Sequence, residues 1–168
     1  MKQKVEAESP NFAKLPVRVV VELGGERLQA PIGESIRLST VGEDGWPHEA
    51  LLSVGEVLAV SAVELLVAVW PGSHRCRNLR CGGQLVLSLV VDGALINIRG
   101  KATLMAEHQT SLDLTAFRIH PEAVNEDRAT YADIVNGVTF RLHDPEQTFA
   151  RWREQILTLK RLAQQNTK

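Results

Sequence analysis

The sequence predicts a mainly β chain, an antiparallel barrel or sandwich flanked by helices, and three observations carry that prediction. Several short apolar runs follow one another between residues 35 and 104, joined mainly by turns. Two of the connections contain an Asp-Gly pair, Asp44-Gly45 and Asp92-Gly93, a strong short-range hairpin signal. The clearest helical periodicity lies apart from these runs, after residue 144. A doubly wound parallel sheet would instead need a helix between successive strands.

Taken in order, residues 1–10 read as a frayed terminus. Residues 15–25 carry mixed signals: Pro16 suits a first helical turn and Gly24-Gly25 its end, while Val19-Val20-Val21 favours a strand. The helix is preferred. Residues 35–41 put Ile36, Leu38 and Thr40 on one face of a strand and Arg37, Ser39 and Val41 on the other. Glu43-Asp44-Gly45 then turns the chain into a returning strand over 46–53, with Pro47 near its start. Further strands are expected over 57–60, 64–70, 84–91 and 94–104, the last two joined by Asp92-Gly93. Residues 111–120 suit strand or helix, 121–133 are polar enough for a loop, and 137–143 look like one more strand. Asp144 and Pro145 form an N-cap and first-turn pair for a helix over 145–163. Phe149, Trp152, Ile156, Leu159 and Leu162 or Ala163 recur there at spacings of three and four, a stripe that must lie against the chain's own barrel or a partner subunit.

A length of 168 residues fits one domain over 1–168, and 44% apolar with 23% charged residues is ordinary globular composition. The net charge of −1 offers no general field for nucleic acid or a membrane surface. Nothing approaches the roughly 18 apolar residues of a membrane helix, and the first ten residues lack the apolar core of a signal peptide, so a cytoplasmic protein is expected. Cys76 and Cys81 lack the paired CxxC pattern of a zinc site and are expected as reduced thiols. His48, His74, His108, His120 and His143 are dispersed, without an HxxxH or HExxH pair, so no metal is expected. There is no GxSxG elbow, GxGxxG turn or Walker-type loop, and Cys76 has no base placed beside it by sequence. No catalytic residue is assigned.

The chemistry concentrates in Trp70-Pro71-Gly72-Ser73-His74-Arg75-Cys76-Arg77-Asn78-Leu79. Hydroxyl, imidazole and two guanidinium donors follow a Pro-Gly turn, where side-chain and backbone N–H groups can gather around an anion such as phosphate. Arg75 is the first choice as its ligand and Arg77 the second. In an extended segment the two point to opposite faces, so both reach one phosphate only if the chain turns there.

Residues 38–48, 70–79 and the strand ending Ile98-Arg99-Gly100-Lys101-Ala102 together resemble the flavin-binding split barrels related to pyridoxamine 5′-phosphate oxidase. The resemblance covers about residues 35–104. It implies a six-stranded antiparallel split β-barrel of Greek-key type, a homodimer with FMN at the subunit interface, and a small-molecule substrate. His48, Glu49, Ala50, Leu51, Leu52 and Ser53 would be the strand passing along the flavin, and Ser73, His74 and Arg75 the phosphate group. Asn78 and Leu79 would continue the phosphate segment into a short helical turn, and Trp70, like Trp46, could wall the ring or simply pack. His48 and His74 stand where vitamin B6 oxidases typically carry Arg, and imidazole charge near neutrality depends on its surroundings. The C-terminal Arg-x-His signature of those oxidases is missing; Arg141-Leu142-His143 has the letters but precedes the final helix and reads as ordinary strand-end polarity. The expected function is a flavin-dependent oxidoreductase using a reduced nicotinamide and a small acceptor, distinct from true pyridoxamine phosphate oxidation. The alternatives are a non-catalytic flavin-storing or redox-sensing dimer, and a relative that binds F420 or haem.

Overall fold

A computed structural model of the chain describes residues 12–28, 34–106 and 113–165. The expectation for residues 1–10 lies outside these, as does the start of 111–120. The elements are α1 (Val17–Glu22), β1 (Ile36–Val41), β2 (Pro47–Leu52), β3 (Val57–Ser61), β4 (Glu64–Val69), α2 (His74–Cys81), β5 (Gln84–Val91), β6 (Ala94–Ala106), β7 (Thr115–Asp127) and α3 (Pro145–Gln165). Every strand pairing is antiparallel, in the order β2-β1-β5-β6-β7-β4-β3.

Among the described residues the sheet is open, with β2 and β3 as its edges, and it has seven strands where six are expected. The additional strand is β7, which pairs with β4 through Leu65↔Ile119 and neighbouring residues and with β6 along its length. Its second half escaped a sequence reading because Glu122, Asn125, Glu126 and Asp127 are exposed and no apolar alternation marks them. Pro121 is accommodated where β7 has passed beyond β4 and where β6 shifts register between Arg99 and Gly100. The strand expected over 137–143 is reduced to one bridge, Glu34↔Thr139.

Hairpin chemistry sets the register as the sequence suggests. Asp92 and Gly93 both have positive φ, 50° and 72°, the signature of a two-residue type I′ turn between β5 and β6. In the β1–β2 turn the Gly45 N–H donates to the Gly42 carbonyl at 2.9 Å, and the Gly42 N–H to the Trp46 carbonyl at 3.0 Å. At the start of the chain the β-branched run is helical: Pro16 caps α1, and Val19 is fully buried between Leu15 and Leu23 in the core. Tertiary burial overrides strand propensity there.

Two apolar clusters lie on opposite faces of the sheet. The larger holds Leu38, Leu52, Val57, Leu65, Val67, Leu87, Ile96, Ile98 and Phe117, so both edges and the centre bury side chains together, and α1 and α2 contribute Val19, Cys76 and Leu79. The smaller joins Leu58, Leu66, Ala68 and Ala116 to Ile156, Leu159 and Leu162 of α3. The α3 stripe therefore lies against its own sheet. No helix among the described residues is long and apolar enough to cross a membrane.

Candidate functional site

The polar stretch after β4 is a helix with a built N-terminus. Ser73 is its N-cap: the hydroxyl accepts from the Cys76 N–H at 3.2 Å and donates to the Trp70 carbonyl at 2.7 Å. Cys76 and Leu79 enter the core and seat α2 on the sheet. Asn78 Nδ2 donates to Thr40 Oγ1 at 3.0 Å, tying α2 to β1. At 100° per residue, His74, Arg77, Asn78 and Cys81 share the side turned away from the core, while Arg75 lies about 200° round from Arg77. The two guanidiniums therefore do not converge on one point.

That shared side faces the β1–β2 hairpin across a cavity of about 410 Å³ lined by Gly42, Glu43, Asp44, His48, His74, Arg77, Asn78, Arg80 and Cys81. His48 reaches it because β2 pairs with β1 in the register Thr40↔His48, beside the residue that holds Asn78. Its Nε2 lies 3.1 and 3.2 Å from the two carboxylate oxygens of Asp44. Gly42 makes room for this pair, since a Cβ there would stand 2.6 Å from His48 Nε2 and 2.7 Å from Asp44 Oδ1. The Asp44 carboxyl is held below its ordinary pKa, chiefly by the hydrogen bond it accepts from the Trp46 N–H and then by His48. Arg77 Nη2 and His74 Nδ1 are 2.6 Å apart, and Cys81 Sγ lies 3.6 Å from Glu43 Oε1. Both cysteine thiols are free.

The structure thus brings His48, His74 and Asn78 together and adds Arg77, Arg80 and Asp44. Arg75 is outside this cavity, half-buried, and its Nε is shielded from solvent without a hydrogen-bond partner among the described residues. Leu79 is core, and Trp70 is partly exposed at the end of β4. Glu49 points to the opposite face of the sheet from His48, where it accepts from Ser39 Oγ at 2.6 Å and lies 3.9 Å from Arg37 Nε. Ala50 and Leu52 follow His48 onto the core side, opposite Leu38 and Ile36.

Leu51, Leu52 and Ser53 instead line a second cavity, of about 380 Å³, with Arg141, His143, Arg151 and Trp152 among its walls. The sequence reading treated Arg141 and His143 as strand-end polarity; residues 140–144 have no strand pairing, and they pass over the end of β2 before α3 begins. No local spacing could reveal this juxtaposition. A third cavity, of about 370 Å³, runs across the sheet surface between Ser39, Val41, Pro47, Val86 and Arg99. Asp44 could have been found as a hairpin residue four positions before His48; Arg141 and His143 carried the Arg-x-His letters, set aside for their place before the final helix, and Arg151 carried no signal.

No family model matches the chain. The YclD protein of Bacillus subtilis (strain 168), itself uncharacterized, is 33% identical over 140 residues, 83% of this chain and 91% of YclD. Among solved structures, a candidate pyridoxamine 5′-phosphate oxidase from Lactobacillus delbrueckii superposes with a TM-score of 0.53 at 16% identity, over 68% of this chain and 96% of its own. The conserved hypothetical protein Rv2991 of Mycobacterium tuberculosis gives 0.52 at 12% identity, over 87% and 99%. A candidate pyridoxamine 5′-phosphate oxidase from Listeria innocua gives 0.50 at 14%, over 67% and 98%. At such identities these structures speak for the fold. The chain is a member of the family of YclD, carried on the split-barrel fold of the pyridoxamine 5′-phosphate oxidase-like proteins.

Proposed function

We propose that this protein binds FMN, with the phosphate at the first turn of α2 and the ring along β2, and acts as a flavin-dependent oxidoreductase between a reduced nicotinamide and a small acceptor. The observation that carries the proposal is Arg75. A guanidinium N–H that is out of water and without a partner costs stability unless a ligand completes it, and an Arg fork donates to a phosphate in bidentate fashion. It stands two residues after the Ser73 cap, at the N-terminal end of α2, where helix polarity also favours an anion. His74, 100° round the helix from Arg75, adds a donor or cationic group, whereas Arg77 lies on the far side.

When bound, the flavin supplies the electron transfer, and the chain supplies orientation and electrostatics. Main-chain groups of β2, an edge strand paired on one side only by β1, are free on the other to meet the polar rim of the ring. The resemblance also supports a homodimer with the cofactor between subunits, and the sheet face carrying Pro47, Glu49 and Leu51 is the surface we assign to the second copy. A second reading, a flavin-storing or redox-sensing dimer, is favoured by one specific observation. In the α2 cavity His48 is engaged by Asp44 and His74 by Arg77, so neither imidazole stands unengaged as an acid or base.

Titration of the cofactor-free chain with FMN, F420 and haem, followed by absorption and flavin fluorescence, tests the cofactor. FMN is expected to bind, and Arg75→Ala to weaken it by about 1.5–3 kcal/mol, roughly ten- to a hundredfold. A larger loss in Arg77→Ala would place the phosphate in the His48–His74 cavity instead. Binding of F420 or haem but not FMN would overturn the reading. Steady NADH or NADPH consumption by the FMN-loaded protein with a dye acceptor would select the enzyme over the storage protein.

A further inference from the structure

The cavity at the end of β2 has its own chemistry, independent of the α2 site. Leu51, the nearest lining residue of this cavity on β2, lies three positions from His48, so the two linings are roughly 10 Å apart along the strand, too far for one anionic group to serve both. The carboxylates in its wall are already engaged locally. Glu56 Oε2 accepts from the Ser53 N–H at 2.7 Å and from the Ser53 hydroxyl at 2.9 Å. Asp144 Oδ1 accepts from the Gln147 N–H at 3.0 Å, capping α3.

Beside the neutral side chains of Gln147 and Thr148, the cavity is lined by cationic and donating groups. Arg141, His143 and Arg151 line the cavity with no hydrogen-bond or ion-pair partner among the described residues. Trp152, only 4% exposed, forms part of the wall, and its indole Nε1 is buried and unpartnered. The indole is fixed in place: Phe140 and Phe149 meet it edge-on with centroids 6.4 and 5.7 Å away, and a Cβ at position 55 would come within 2.4 Å of its ring, so only Gly55 fits. A buried N–H is rarely left orphaned, and two guanidiniums, an imidazole and an indole N–H around one cavity are complementary to an acceptor-rich ligand. The positive end of the 21-residue helix α3 adds to the same potential.

We propose that this cavity is a second anion site, which takes the carboxylate or phosphate-ester group of a small molecule between Arg141 and Arg151, with His143 at its side. This assignment rests on its own geometry. If FMN does lie along β2, the site places the anionic end of a substrate at the opposite end of that strand from α2.

The test is a titration of the full chain, free of FMN, with inorganic phosphate and with citrate, observing the indole N–H signals of Trp46, Trp70 and Trp152 by NMR. The Trp152 signal is expected to shift with an affinity near 1 mM for at least one of the two anions. Phosphate alone would identify a phosphate-ester site, citrate alone a carboxylate site. Arg141→Gln/Arg151→Gln, both exposed positions, is expected to weaken that binding at least tenfold while FMN affinity stays within twofold. Absence of any Trp152 shift through about 10 mM of either anion, or a shift undiminished in the double variant, would overturn the proposal. Arg75→Ala should leave the Trp152 response intact, so failure of the FMN reading and failure of this one give different results.

Discussion

The two halves of the sheet are built differently. In β3, β4 and the first part of β7 both faces are covered: Leu65, Val67 and Val69 enter the large cluster, and Leu66 and Ala68 pack under α3. In β1 and β2 only one face is covered, and β1 alternates buried and open positions along its length. Arg37, Ser39, Val41, Glu49 and Leu51 form an uncovered face with Val86 and Arg99 of the neighbouring strands. The covered half is scaffold; every candidate site lies on or beside the open half. A strand buried on both faces has no side left for a ligand, whereas β2, an edge strand, has one.

The largest expected effect probes this contrast with one residue type. Leu66→Ala, beneath α3, is expected to cost about 2–5 kcal/mol in urea unfolding, from lost transfer energy and the cavity left behind. Leu51→Ala, 48% exposed on the open half, is expected to stay within about 0.5 kcal/mol in the dilute chain. A cost at Leu51 that grows with protein concentration would mean that a second copy covers it. Equal, concentration-independent costs would break the distinction between the halves.

The next effect sharpens what covers the open face. If a second copy packs there, Val86→Arg places an unpaired charge in the contact and should weaken self-association by about 2 kcal/mol, roughly thirtyfold, by sedimentation. A chain that is monomeric at all concentrations, or a dimer indifferent to this substitution, would remove the open face from the interface.

The same contrast explains what could be read in the sequence. The β4 run and the β5 boundaries, Gln84–Val91, are legible because apolar runs and the Asp92-Gly93 turn are local signals. The α3 helix is legible for the same reason, with its Asp144 cap and 3-4 stripe. β7 is not, since its outer half draws its pairing from β6 and presents only polar residues. In the site, the Ser73 turn could be seen, but not that α2 would carry Arg75 and Arg77 to different sides. The meeting of His48 with His74 depends on the β1–β2 register and on the Asn78–Thr40 bond, 38 residues apart in sequence. The second cavity joins residues 51–53 to 141–151, a separation no periodicity spans.

The smallest effect concerns the hairpin that frames the α2 cavity. Asp44 has a folded pKa below its ordinary 3.8, because its carboxylate accepts from the Trp46 N–H and faces His48. The folded chain therefore holds this proton less tightly than the unfolded chain, and stability rises with pH wherever the unfolded state binds more protons. The contribution is fully present above pH 3.8 and is lost as pH falls through that value toward the lower folded one. Asp44 is solvent-exposed, so the contribution is small and screened by salt. Asp44→Asn cannot ionise, and should be less stable than the parent at pH 5 but approach it at pH 3 in urea unfolding at low ionic strength. A gap of the same size at both pH values would show that the carboxylate charge contributes nothing, and that Asp44 holds the turn only through its shape and its hydrogen bond to Trp46.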